Sequence, residues 1–249
     1  MIRRLRLAAL LTVGLAGAAG AADLPTRKAP APVPPPPVYS WTGSFIGVAG
    51  GYAFGSAQVN HGALPAPVAE TNPFDINGGV FGITSGYNYQ IGQAVIGYEG
   101  DFSWTSIKGT GGDIAPFNPA FSQTAKEDWL MTTRARLGYA WNNVLLYGTG
   151  GAAETMNHQL VQSPAASIEQ GHLQWGWAAG AGVEWMLYPN VSVKAEYLHV
   201  GINPKSYFQP GTAVFLTAQQ LRYSEDIIRV GLNYHFDLLG MISPAFAKN

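Results

Sequence analysis

The stretch "VIGYEGDFSW", residues 95–104, decides how the rest of the chain is read. In an extended segment side chains alternate between two faces, so Ile96, Tyr98, Phe102 and Trp104 share one face. Gly97, Glu99, Asp101 and Ser103 share the other. Two carboxylates belong in water or a polar interior, and large aromatics belong out of water. A soluble β-sandwich would bury the aromatic face and cover the other with charge. This chain is only 12% charged, against about a quarter in an average soluble domain. The polar faces of its strands are dominated by Gly, Ser, Thr and Asn, so the reading is apolar surroundings outside and a polar interior.

The alternation recurs eight times, near 41–54, 78–91, 94–106, 127–141, 145–157, 171–187, 191–203 and 221–236. The clearest case is the last. Ile228, Val230, Leu232, Tyr234 and Phe236 oppose Arg229, Gly231, Asn233 and His235. Leu137, Tyr139 and Trp141 likewise oppose Arg134, Arg136 and Gly138, and Trp175, Trp177, Val183 and Trp185 oppose Gln174, Gly176, Gly180, Gly182 and Glu184. Short turns at Gly92-Gln93, Asn142–Val144 and Tyr188–Asn190 alternate with long connections near 55–77, 107–126, 158–170 and 204–220. Long and short connections alternate in an up-and-down meander whose tight turns share one end. The predicted fold is therefore all-β: an eight-stranded antiparallel up-and-down transmembrane β-barrel. Closure satisfies every backbone hydrogen bond, which hydrocarbon requires, and strands of about ten residues span the bilayer.

The same parity fills the lumen. It places Glu99, Asp101, Glu184, Glu196 and Glu225 inside against Arg134, Arg136, Lys194 and Arg229. Eight strands leave room for little more than side chains, so such charges must pair. The tight turn around Pro189 sets Glu184 opposite Lys194, and inward glycines make space for long charged neighbours.

The ends are different in kind. Residues 1–22 carry Arg3, Arg4 and Arg6, then a short apolar run and small residues, the pattern of a cleaved secretory signal peptide. Without it, eleven lysines and arginines face fifteen acids, a formal charge of −4. No basic stripe is present, so nucleic acid is not an expected partner. There is no cysteine, so no disulfide holds the exported chain together. Residues 23–40 include "APAPVPPPPV", a semi-rigid spacer that offers a contact to the cell wall. The barrel is expected over 41–236, followed by a periplasmic tail at 237–249.

Several segments together resemble a known family: "DLPTRKAP", "WTGSFIGVAGGY", "SGYNYQIGQAVIGYEGDFSW", "RARLGYAW", "LLYGTGG", "AAGAGVEWML", "NVSVKAEYLHV" and "IRVGLNYHF". Their order and spacing over residues 23–236 look like the outer-membrane immunogenic or porin-family proteins of Gram-negative bacteria, small barrels related to OmpA-type domains. The resemblance implies residence in the cell outer membrane, among its lipids and lipopolysaccharide. It also implies that Gly231, Tyr234 and Phe236 of "VGLNYHF" form the signal read by the outer-membrane insertion machinery. Family members usually stop at that final aromatic, and this chain continues for 13 residues.

No cofactor, metal or catalytic residue is expected. "YGTGGAA", 147–153, matches a dinucleotide pattern but lacks the helix and the acidic strand residue that the motif needs. Some outer-membrane barrels are enzymes that use Ser-His or Asp-His pairs. Here His158 and His172, near Glu154 and Glu169, are the candidates for an acid–base or metal cluster, set against their reading as polar rim residues. His199 is expected in an interfacial girdle and His235 over the charge network. The expected function is that of a structural, surface-exposed barrel. A narrow ion or small-solute channel is the alternative, and a lipid- or peptide-acting enzyme is less favoured.

Overall fold

A computed structural model describes residues 39–61, 68–207 and 219–237. Among the described residues ten strands form one antiparallel sheet: β1 (Gly43–His61), β2 (Val68–Ala69), β3 (Phe74–Ile91), β4 (Ala94–Thr105), β5 (Lys108–Gly112), β6 (Ser122–Trp141), β7 (Val144–Gln162), β8 (Ser167–Tyr188), β9 (Val191–Tyr207) and β10 (Gln219–Phe236). Consecutive long strands pair in order, and β1 pairs with both β3 and β10, so eight positions close into a ring. The short β5 pairs with β3 and β6, taking over the place of β4 higher up the wall. The short β2 adds to the end of β1.

Tight turns gather at one end. Gly92 (φ 61°) and Asn142 (φ 58°) occupy the left-handed region that glycine enters freely and asparagine tolerates. The opposite end departs from expectation. Strands of 17 to 22 residues run far past the length a bilayer needs, so much of what reads as loop is strand. The stretch 158–170 is a hairpin whose turn is closed by the Ser163 amide donating to the Ala166 carbonyl at 2.8 Å. Residues 108–112 and 122–126 pair with each other, and 55–61 and 74–77 extend β1 and β3. Gly, Ser, Gln and Asn on both faces hide this extension, because no apolar stripe marks it. Residues 208–218 of the fourth stretch, the signal peptide, the linker up to residue 38 and the tail from residue 238 lie outside the described residues.

The outer wall carries the aromatics. Tyr98, Trp104, Trp141, Trp175 and Trp185 all stand more than half exposed. On β6, Trp129 and Trp141 bracket the apolar stretch, as Trp175 and Trp185 do on β8. At about 3.3 Å per residue and a tilt of about 40°, ten to twelve residues rise about 25–30 Å, the height of the lipid-facing band.

Candidate functional site

The interior is built by the inward residue of each alternation. Glu99 and Asp101 on β4, Arg134 and Arg136 on β6, Glu184 on β8, Lys194 and Glu196 on β9, and Arg229 on β10 are all buried. They form one network. Arg134 donates to Asp101 Oδ2 at 2.8 Å, to Glu196 Oε1 at 3.1 Å and to Glu99 Oε1 at 3.2 Å. Arg229 reaches Asp101 Oδ1 at 3.0 Å and Glu196 Oε2 at 2.6 Å. Arg136 pairs with Glu184 and lies over the Tyr147 ring, 3.7 Å from its centroid. Lys194 donates to Glu99. Four acids thus meet four bases, and desolvation is met by multiple charge-assisted hydrogen bonds.

Glycine makes the fit possible at Gly151, which pairs with Arg134 across the strands. A Cβ there would sit 2.7 Å from Arg134 Cα and 2.1 Å from the Thr133 carbonyl oxygen. No side chain can be added without moving that backbone.

Two sequence expectations about this network need correction. Glu184 and Lys194 are register partners, as read from the turn, but Lys194 bonds Glu99 while Glu184 bonds Arg136, Ser192 and Asn233. The lysine stem is long enough to reach across the lumen to Glu99, which it shares with Arg134. Glu225 does not join the network at all. Its Oε2 accepts from the Tyr223 hydroxyl at 3.1 Å; Tyr223 belongs to an apolar cluster, and buried Glu127 lies nearby. Glu127 itself escaped the reading because a bulge between Glu127 and Trp129 shifts the parity. Counting back from Arg134 by twos gives Asp128, yet Glu127 is the buried residue. Its Oε2 accepts from Thr155 Oγ1 at 2.8 Å.

The interior is also less polar than expected. On β9 the network residues Lys194 and Glu196 are followed, on the same face, by buried Leu198, Val200 and Ile202. Ile227 on β10 and Leu130 on β6 join them in a cluster on the long-hairpin side. Trp41, Val95, Leu145, Tyr147 and Met186 form a second cluster on the tight-turn side. The charge network lies between two apolar plugs.

His235 sits over the network as expected, 3.3 Å from Glu184 Oε1 and 2.8 Å from Ser192 Oγ. His199 faces outward against Trp177 and bonds Asp226 at 2.8 Å. The suggested four-residue cluster does not assemble. His158 lies between Asp128 and Glu169, 3.1 Å from each, whereas His172 pairs with Asn157 in the register and shares the face of buried Gln174. Glu154 lies opposite Trp175. Tyr234 and Phe236 stack at 6.4 Å at the end of β10, and Gly231 faces the Lys194 stem.

A ring of eight strands with lipid-height aromatic bands and a filled interior is the architecture of a small outer-membrane barrel, and the sequence profile described as "Outer membrane protein beta-barrel domain" matches residues 8–236. The chain belongs to that family. It is 31% identical over 232 residues to the 31 kDa outer-membrane immunogenic protein of Brucella melitensis, covering 89% of this chain and 95% of that one. Over 231 residues it is 30% identical to the 25 kDa outer-membrane immunogenic protein of Brucella abortus, with 92% and 95% covered. Among solved structures it is similar in fold to the outer membrane protein OprG of Pseudomonas aeruginosa, with a TM-score of 0.51, 16% identity, and coverage of 80% of this chain and 99% of that one. The protein is thus an outer-membrane β-barrel, and its aromatic bands mark the bilayer interfaces.

Proposed function

We propose that the protein is a structural, surface-exposed barrel whose interior braces the wall rather than conducting solutes. The observation that carries this reading is the balanced set of four acids and four bases, buried between two apolar plugs. A permeating ion would have to break several charge-assisted bonds and then cross a layer of Leu198, Val200 and Ile227. Dewetted apolar constrictions oppose such passage. The long hairpins then face outward and the tight turns face the periplasm. The immunogenic naming of the Brucella relatives supports a role for the hairpins as the presented surface.

In this reading the partners are outer-membrane lipids, lipopolysaccharide and the insertion machinery, with cell-wall contact through residues 23–40. Nucleic acid is not among them, and the chain is no enzyme. The test begins with purified protein whose heat-modifiable gel mobility shows it to be folded, followed by planar-bilayer recording. Silence at neutral pH is expected. Steady conductance steps from folded protein would overturn this reading in favour of a narrow channel. Hydrolysis of phospholipid or peptide, lost in His158→Ala, would overturn the non-catalytic one.

A further inference from the structure

We propose that residues 68–73 form a proton-sensitive latch over the long-hairpin mouth of the barrel. It is closed while Glu70 and Asp113 share a proton and released when both are ionised. The segment turns inward between β2 and β3, and Thr71 is fully buried. The Glu70 and Thr71 amides donate to the Val59 carbonyl at 2.9 and 3.1 Å, and the Val59 amide donates to Thr71 Oγ1 at 3.0 Å. From the other side, the Ile114 amide donates to the Glu70 carbonyl at 2.8 Å, and Thr71 bridges to Asp113.

The Glu70 side chain ties these pieces to the far wall. Its Oε1 accepts from Gln219 Nε2 on β10 at 2.7 Å and from Gln123 Nε2 on β6 at 3.4 Å. The same Gln123 amide reaches Asp113 Oδ1 at 3.1 Å. Glu70 Oε2 lies 3.4 Å from His61 Nδ1 on β1, and that ring packs against Phe117 with centroids 4.8 Å apart. The groups facing Glu70 are therefore an imidazole, a second carboxyl and two neutral amides. Gln159 on β7, also neutral, stands behind Gln123 at 3.2 Å. Among the described residues, neither lysine nor arginine bonds either carboxyl.

Two carboxyls in such a place cannot both ionise without mutual repulsion. Burial first, and Asp113 second, push Glu70 up to about 7. Burial also raises Asp113, while its hydrogen bonds with Gln123 and Glu70 pull the other way. Burial holds His61 below its ordinary value, against the pull of Asp113. Because the folded value of Glu70 lies above its ordinary 4.5, its stabilising contribution is complete below about 4.5. That contribution is lost as pH rises through about 7.

Hydrogen exchange of the full-length folded protein tests the latch. Protection of peptides spanning 68–73, corrected for base catalysis of exchange, is measured from pH 5 to 8.5. It should fall about tenfold or more in the wild type and stay flat in Glu70→Gln, whose amide keeps the shape and cannot ionise. Peptides from β6 should show no such change in either protein. Flat protection in the wild type, or the same fall in Glu70→Gln, overturns the proposal. Should Glu70→Gln fail to fold, Asp113→Asn serves instead. Removing the like charge should move the wild-type midpoint to lower pH, and an unmoved midpoint overturns the proposal.

Discussion

Arg134 stands 2.8 Å from Asp101, with both side chains fully shielded from solvent, and the same guanidinium also reaches Glu99 and Glu196. The two sit on neighbouring strands, so one arginine fastens adjacent wall strands to β9 across the lumen. Truncating it takes one partner from each of three carboxylates in a low-dielectric space, leaving Arg229 and Lys194 to hold them. Arg134→Ala should cost about 3–5 kcal/mol, the range for breaking a buried pair. Its neighbour Thr133 faces outward, and Thr133→Ala should cost far less. Unfolding midpoints in denaturant measure both. Equal losses would mean a solvated, pore-like interior.

The buried carboxyl of Glu225 should behave in the opposite sense. Among the described residues no base bonds it, and Glu127 lies close enough to repel it, so a charge there is a liability. Glu225→Gln keeps an oxygen for the Tyr223 hydroxyl and removes an ionisable group. It should stabilise the barrel by on the order of 1 kcal/mol. Glu99→Gln, which removes a partner of Arg134 and Lys194, should destabilise it. If both substitutions shift the midpoint the same way, the separation of Glu225 from the network is wrong.

These cases show what the sequence could and could not disclose. The parity of Glu99, Asp101, Arg134, Arg136, Glu184, Lys194, Glu196 and Arg229 was legible because lipid outside and charge inside enforce a period of two. Glu127 was hidden by a single extra residue at the bulge before Trp129. Leu198, Val200 and Ile202 were hidden because an inward apolar residue beside an outward one erases the alternation. Glu70 and Asp113 lie beyond the lipid-facing band, in stretches whose polar residues fit loop and strand equally well. Partner choice, such as Lys194 with Glu99 rather than Glu184, depends on reach across the lumen, which register alone does not fix.

Orientation follows from hairpin length. An epitope inserted at Ala165, at the exposed tip between β7 and β8, should be labelled on intact cells. One at Gln93, in the tight turn between β3 and β4, should be labelled only after the outer membrane is opened. The reverse pattern would invert the barrel in the membrane.

The end of β10 gives the last test. Phe236 pairs with Ser44 as the final rung of the closing β1–β10 ladder, and its ring stacks with Tyr234 on the outer face. Among the described residues the closing ladder ends at that rung. The sequence beyond it, "DLLGMISPAFAKN", lacks sustained alternation, and Pro244 would remove a ladder donor if the strand continued toward Phe246. A chain stopped after Phe236 should therefore insert and fold as well as the full protein, judged by heat-modifiable mobility of outer-membrane fractions. Phe236→Ala should reduce the assembled protein while leaving export to the periplasm unchanged, as expected if Gly231, Tyr234 and Phe236 are the insertion signal. If the truncation abolishes assembly and Phe236→Ala does not, the signal lies in the tail and the barrel needs residues beyond β10.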